Sequence, residues 1–114
     1  MTKRLYTALE ERILLLDGGF GTMMQQNRFG EAEYRATRFA EHPAPLKGCN
    51  DLLSLTQPEA VAEIHEKYLR AGADIITSNS FNANRISLSD YALSAYAREI
   101  ARASARLART VADR

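Results

Sequence analysis

The sequence predicts an α/β fold built from right-handed βα units. Two observations carry this: short apolar runs at Ile13–Leu16 and Ala73–Thr77, each ending in a polar or glycine-rich turn, and helical periodicity after each of them. The order strand, helix, strand, helix implies a parallel sheet, because parallel strands are joined by crossover helices. Ligand sites in such folds lie at the carboxyl ends of the strands.

The first strand, Ile13-Leu14-Leu15-Leu16, lacks polar alternation and so reads as buried on both faces. It runs into Asp17-Gly18-Gly19-Phe20-Gly21-Thr22. The glycines allow positive φ and a close approach of backbone N–H groups to a ligand, and Asp17 adds a carboxylate. Amide donors beside a carboxylate suit a ligand with both charges, such as the head of an amino acid. A tight turn without a ligand is the plain alternative, since the motif has neither Gly-x-Gly-x-x-Gly spacing nor a Walker lysine.

Residues 23 to 52 show weak periodicity and scattered turn formers, among them Gly30, Pro43, Pro45, Gly48, Asn50 and Asp51. A short helix over Glu31 to Phe39 is expected, with the remainder an extended loop over the rim. Met23 and Met24 are expected to pack under the turn. His42, beside Pro43, reads as a solvated loop residue.

A capping box at Thr56-Gln57-Pro58-Glu59 starts the clearest helix, and Gly72 marks its stop. Val61, Ile64, Tyr68 and Leu69 fall on one face, to be laid on the sheet. His65 reads as a surface or half-buried packing residue. The second strand, Ala73 to Thr77, ends in Ser78-Asn79-Ser80-Phe81-Asn82. These polar residues suit turns, and their strand-end position equally suits a second rim of a site. Phe20 and Phe81 follow the two rims as pocket walls or core residues.

From about Ser89 a long helix is expected to reach the carboxyl terminus, with Leu93, Ala97, Ile100, Ser104, Leu107 and Val111 along one stripe. Its arginines, Arg98, Arg102, Arg106 and Arg109, lie mostly off that stripe as a solvated face.

Composition fits one modest domain: 114 residues, 46% hydrophobic and 25% charged. Fifteen Lys and Arg against 14 Asp and Glu give a formal charge of +1, so nothing favours nucleic acid or an acidic membrane surface. No apolar run approaches the roughly 20 residues of a membrane span, and the amino terminus lacks a secretory h-region, so a cytoplasmic protein is expected. The single cysteine, Cys49, makes no internal disulfide and supplies only one of the four ligands a zinc site needs. Two strands do not make a stable parallel sheet. A closed barrel of eight βα units takes about 250 residues, so the chain reads as the first βα units of a (β/α)8 TIM-type barrel, incomplete here. An open-edged chain of this kind is expected to self-associate or be only partly ordered.

Four stretches carry a further resemblance: Ile13 through Met24, Leu46 through Leu53, Gln57 through Gly72, and Ala73 through Asn82. Together they resemble the homocysteine-binding, homocysteine S-methyltransferase module at the amino terminus of cobalamin-dependent methionine synthases. The resemblance implies that residues 1–114 are the amino-terminal part of such a module. It implies a reaction in which zinc activates homocysteine for methyl transfer from methylcobalamin, with folate and cobalamin modules as neighbours. It also implies that Asp17, Gly18, Gly19, Ser78, Asn79, Ser80 and Phe81 bind the amino-acid end of homocysteine. The family's zinc cysteines lie on later strands, so no metal or catalytic residue is assigned to this chain, and Cys49 is not assigned to zinc. Ser78 and Ser80 stand where the family more often has threonine, which keeps the hydroxyl.

Overall fold

The computed structural model describes residues 2–114. The described residues form helices joined by turns, with no strand among them. The predicted strands reduce to one parallel bridge, Leu16 with Ile75. Around it Asp74 N and Ile75 N donate to Leu15 O at 2.8 and 3.2 Å, and Asp17 N donates to Ile75 O at 3.0 Å. The expected βα units of a barrel are therefore not formed, and the fold class is corrected to helical with a single bridged pair of extended segments. The physical reason lies in the neighbours. A parallel strand needs partners on its edges and cover on its faces, whereas here Ile13 is 87% and Leu16 66% exposed.

Helix α1 (Thr2–Glu11), absent from the predicted order, leads into this pair. Arg12 ties the pair together by donating to Asp74 at 2.7 Å, while Leu15 N donates to the other Asp74 oxygen at 2.9 Å. After Asp17 the chain turns into α2 (Phe20–Gln25), whose Met24 is buried as expected.

Residues 23 to 52 do not form an extended loop. Helix α3 (Glu31–Arg35) starts with Gly30 N donating to Glu33 at 2.6 Å and ends well before Phe39. The following turns are folded inward on one ion pair. Arg35 bonds Glu31 at 2.7 Å and donates to the carbonyls of Phe39, Ala40, His42 and Ala44, and Glu31 accepts the amides of Leu46 and Lys47. Phe39, Leu46, Cys49, Leu52 and Leu53 thereby enter the core. His42 is not free in solvent: its Nε2 lies 2.8 Å from Tyr91 O.

A 3₁₀ turn (Asn50–Leu52) and α4 (Leu53–Thr56) precede α5 (Pro58–Arg70). Pro58 stands at the first helical position as predicted, but Gln57 is the cap residue and Thr56 belongs to α4, its hydroxyl donating to Leu52 O at 3.4 Å. The expected capping box is not made. Val61 and Ile64 are buried against helices rather than a sheet, and Gly72 takes φ +111° where α5 ends. Helix α6 (Arg85–Leu88) is capped by Asn84, which accepts from Ser87 N at 2.8 Å. The long terminal helix begins later than expected. Ala92, in a left-handed conformation, breaks the chain after a 3₁₀ turn (Ser89–Tyr91), and α7 (Ala97–Ala112) follows a second (Ser94–Tyr96). Ile100, Ser104, Ala108 and Val111 form its buried stripe, and Arg98, Arg102, Arg106 and Arg109 are exposed. No described helix is long and apolar enough to cross a membrane.

Candidate functional site

The bridged pair brings two polar turns side by side at one end of the helical core. Between them and the Gly48–Asp51 segment lies a cavity of about 430 Å³. Asp17 and Gly18 line it from the first turn, and Ser78, Asn79, Ser80 and Phe81 from the second. Gly19 does not line it. Its carbonyl instead accepts the Tyr68 hydroxyl at 2.6 Å.

Asp17 joins the two turns directly, its carboxylate accepting from Thr77 N at 2.8 Å and from Thr77 Oγ1 at 3.0 Å. The expected use of positive φ at Gly18, Gly19 and Gly21 is not found; among the glycines only Gly48 and Gly72 have it. Space explains Gly18 instead. A Cβ there would meet Tyr68 at 3.2 and 3.3 Å.

In the second turn the hydroxyls of Ser78 and Ser80 bond each other at 2.7 Å. Asn79 is buried and donates to Asn50 O at 2.8 Å and Ser54 Oγ at 3.2 Å, which fixes the turn to the core. Phe81 projects into solvent at 94% exposure, whereas Phe20 is partly buried against the core.

Sequence reasoning placed no site residue in the segment that closes the cavity. Asn50 accepts the Tyr34 hydroxyl at 2.8 Å, and Asp51 accepts the amide of Asn82 at 2.9 Å. Asp51 is 6% exposed, and burial pushes its carboxyl up from the ordinary aspartate range. Both read as turn formers in the chain. No local signal separates the two roles, since Asn50-Asp51 is an ordinary turn pair in the sequence.

His65, expected at or near the surface, is fully buried beside Phe20, ring centroids 6.0 Å apart. Neither ring nitrogen has a hydrogen-bond partner, and burial lowers its pKa from the usual histidine value.

The described residues do not fit a zinc site. No group of three His, Cys, Asp or Glu is placed to hold a metal. Cys49, the single cysteine, is buried in the apolar core, and that burial pushes its thiol up to about 11.

Hydroxyls, amides and two carboxylates surround the cavity between the two turns, with no Lys, Arg or His among its lining residues. The sequence model of the homocysteine S-methyltransferase family matches residues 14–114. The chain belongs to that family, a family of methyltransferases acting on homocysteine.

Proposed function

We propose that this chain binds the amino-acid end of homocysteine for methyl transfer, as part of a methionine synthase. The observation that carries the reading is the convergence of the Asp17–Gly18 turn and the Ser78–Phe81 turn on one cavity in a member of this family. Asp17 supplies negative charge at the rim, Ser78 and Ser80 supply hydroxyls, and Phe81 forms an apolar edge. Gly18 lets the chain pass close to Tyr68, and Gly19 anchors the turn from outside the cavity. In this reading methylcobalamin, recharged by methyltetrahydrofolate, is the methyl donor, and zinc acts on the thiol through residues other than those described here.

Calorimetry with homocysteine is the direct test. The unaltered chain is expected to bind it and Asp17→Ala to bind at least several-fold more weakly; equal affinities remove Asp17 from the site. Methyl transfer by the 114-residue chain alone is not expected, and zinc-dependent turnover by it would overturn this assignment of roles.

A second reading, self-association, is favoured by one observation: Ile13, Leu15 and Leu16 are exposed on a bridged pair whose outer edges have no strand neighbour among the described residues. Native mass measurement distinguishes a second copy on this edge from a monomer.

A further inference from the structure

Two carboxylates line the cavity, and they are not in the same position. Asp17 has both oxygens engaged by Thr77. Asp51 is 94% removed from solvent by the complement of its 6% exposure, and its one long-range partner is the backbone amide of Asn82. No cationic side chain pairs with it among the described residues. A buried carboxylate is normally compensated by a cation, because a single neutral amide offsets only part of its lost hydration. Asp51 borders this cavity and a smaller one beside Asp90 and Tyr91, and neither supplies a Lys, Arg or His.

We propose that Asp51 binds the ammonium group of the amino-acid ligand in this cavity. The inference rests on the amino-acid site proposed above and adds to it a residue from the segment between α3 and α4. A bound ammonium would donate to the Asp51 carboxylate and replace the missing counter-charge. The ligand carboxylate would then be left to the amides and hydroxyls of the two turns, which separates the charges of the zwitterion across the cavity. Asp17 shapes the rim through Thr77 and adds to the negative field.

The competing role is structural: Asp51 fixes Asn82 and nothing more. Asp51→Asn separates the two, since the amide oxygen still accepts from Asn82 N while the charge is lost. Calorimetry would use homocysteine and 4-mercaptobutanoate, its counterpart without the amino group. Asp51→Asn is expected to weaken homocysteine binding by roughly 10–100-fold and to leave the affinity for 4-mercaptobutanoate unchanged. Equal homocysteine affinities, or an equal loss for both ligands, would overturn the role of Asp51 while leaving the amino-acid site intact. Failure of the unaltered chain to bind homocysteine would overturn both.

A measurement on the unaltered chain guards against a variant that does not fold. The Asp51 carboxyl, followed by carbon NMR, is expected to titrate at lower pH when the site is saturated with homocysteine, because a neighbouring ammonium favours the charged form. A titration unmoved by the ligand would overturn the proposal.

Discussion

Tyr68 donates its hydroxyl to the carbonyl of Gly19 at 2.6 Å, so a helix residue holds the first turn of the cavity from behind. The same ring occupies the space beside Gly18, where an added Cβ would come within 3.2 Å of the hydroxyl oxygen and 3.3 Å of the ring. Gly18→Ala is expected to displace Tyr68, weaken its bond to Gly19 and lower stability by about 1 kcal/mol. Gly21→Ala is the control. Gly21 lies inside α2, its nearest neighbour would be 3.9 Å away, and replacing a helical glycine gains roughly 0.5–1 kcal/mol. Thermal unfolding of the two variants should therefore move in opposite directions.

Arg35 organises the stretch from Phe39 to Ala44 by donating to four carbonyls, which a short neutral side chain does not replace. Those bonds turn Phe39 and Leu46 into the core although the segment has almost no regular structure. Arg35→Ala is expected to cost about 2–3 kcal/mol, in the range for bonds from a charged donor. The loss should be local at first. Hydrogen exchange is expected to quicken in residues 36–47 before α5 or α7 loses protection, and a uniform loss of protection would contradict this role.

His65 is buried with two polar nitrogens unmet, in a position that an apolar side chain would fill without that penalty. His65→Leu is expected to leave stability at pH 7 unchanged or to raise it by about 1–3 kcal/mol. The pH dependence gives a second check. Burial lowers the folded pKa of His65 below the unfolded value near 6.5, so the unfolded chain takes up its proton first. Stability is full above about pH 6.5 and falls as the pH drops below it. The unfolding midpoint of the unaltered chain should decline between pH 7 and 5 more steeply than that of His65→Leu.

These residues also show what the sequence discloses and what it conceals. Pro58 through Arg70 was legible because its signals are local: a proline in the first turn, a 3.6-residue apolar period and a terminal glycine. The run Ile13–Leu16 was legible as extended and illegible as exposed, since burial depends on neighbours that a four-residue period cannot specify. Phe39, Leu46 and Cys49 were hidden for the opposite reason. Their burial comes from Glu31 and Arg35 bonding a turn-rich segment, with no repeating pattern to announce it. Near the cavity, the adjacency of Asp17 and the Ser78–Phe81 turn was legible because strand-end turns have a known place, and those residues line one cavity even though the sheet is absent, whereas Gly19 lies outside it. Asp51 escaped because nothing in Asn50-Asp51 distinguishes a buried carboxylate from a turn former.

Asp74 makes the bridged pair sensitive to acid. Its carboxyl is held at about 2, first by the Arg12 guanidinium and then by the amide of Leu15, and its ordinary value is 3.8. A carboxyl depressed in the folded state stabilises it above the unfolded value, and that contribution is lost as pH falls through the folded one. The window is therefore from about pH 4 down to about 2. Asp74→Asn should be less stable than the unaltered chain at pH 6, and the difference in thermal midpoint should shrink as the pH approaches 2. Because Arg12 is largely exposed, added salt should narrow the same difference at pH 6. Asp74 also receives the amide of Leu15, whose carbonyl accepts Ile75 N beside the Leu16–Ile75 bridge, so the acid transition should loosen the Asp17–Thr77 contact with it. Homocysteine affinity at pH 6 is then expected to be lower in Asp74→Asn than in the unaltered chain while α5 and α7 keep their hydrogen-exchange protection, and equal affinities would show that the pair does not position the site.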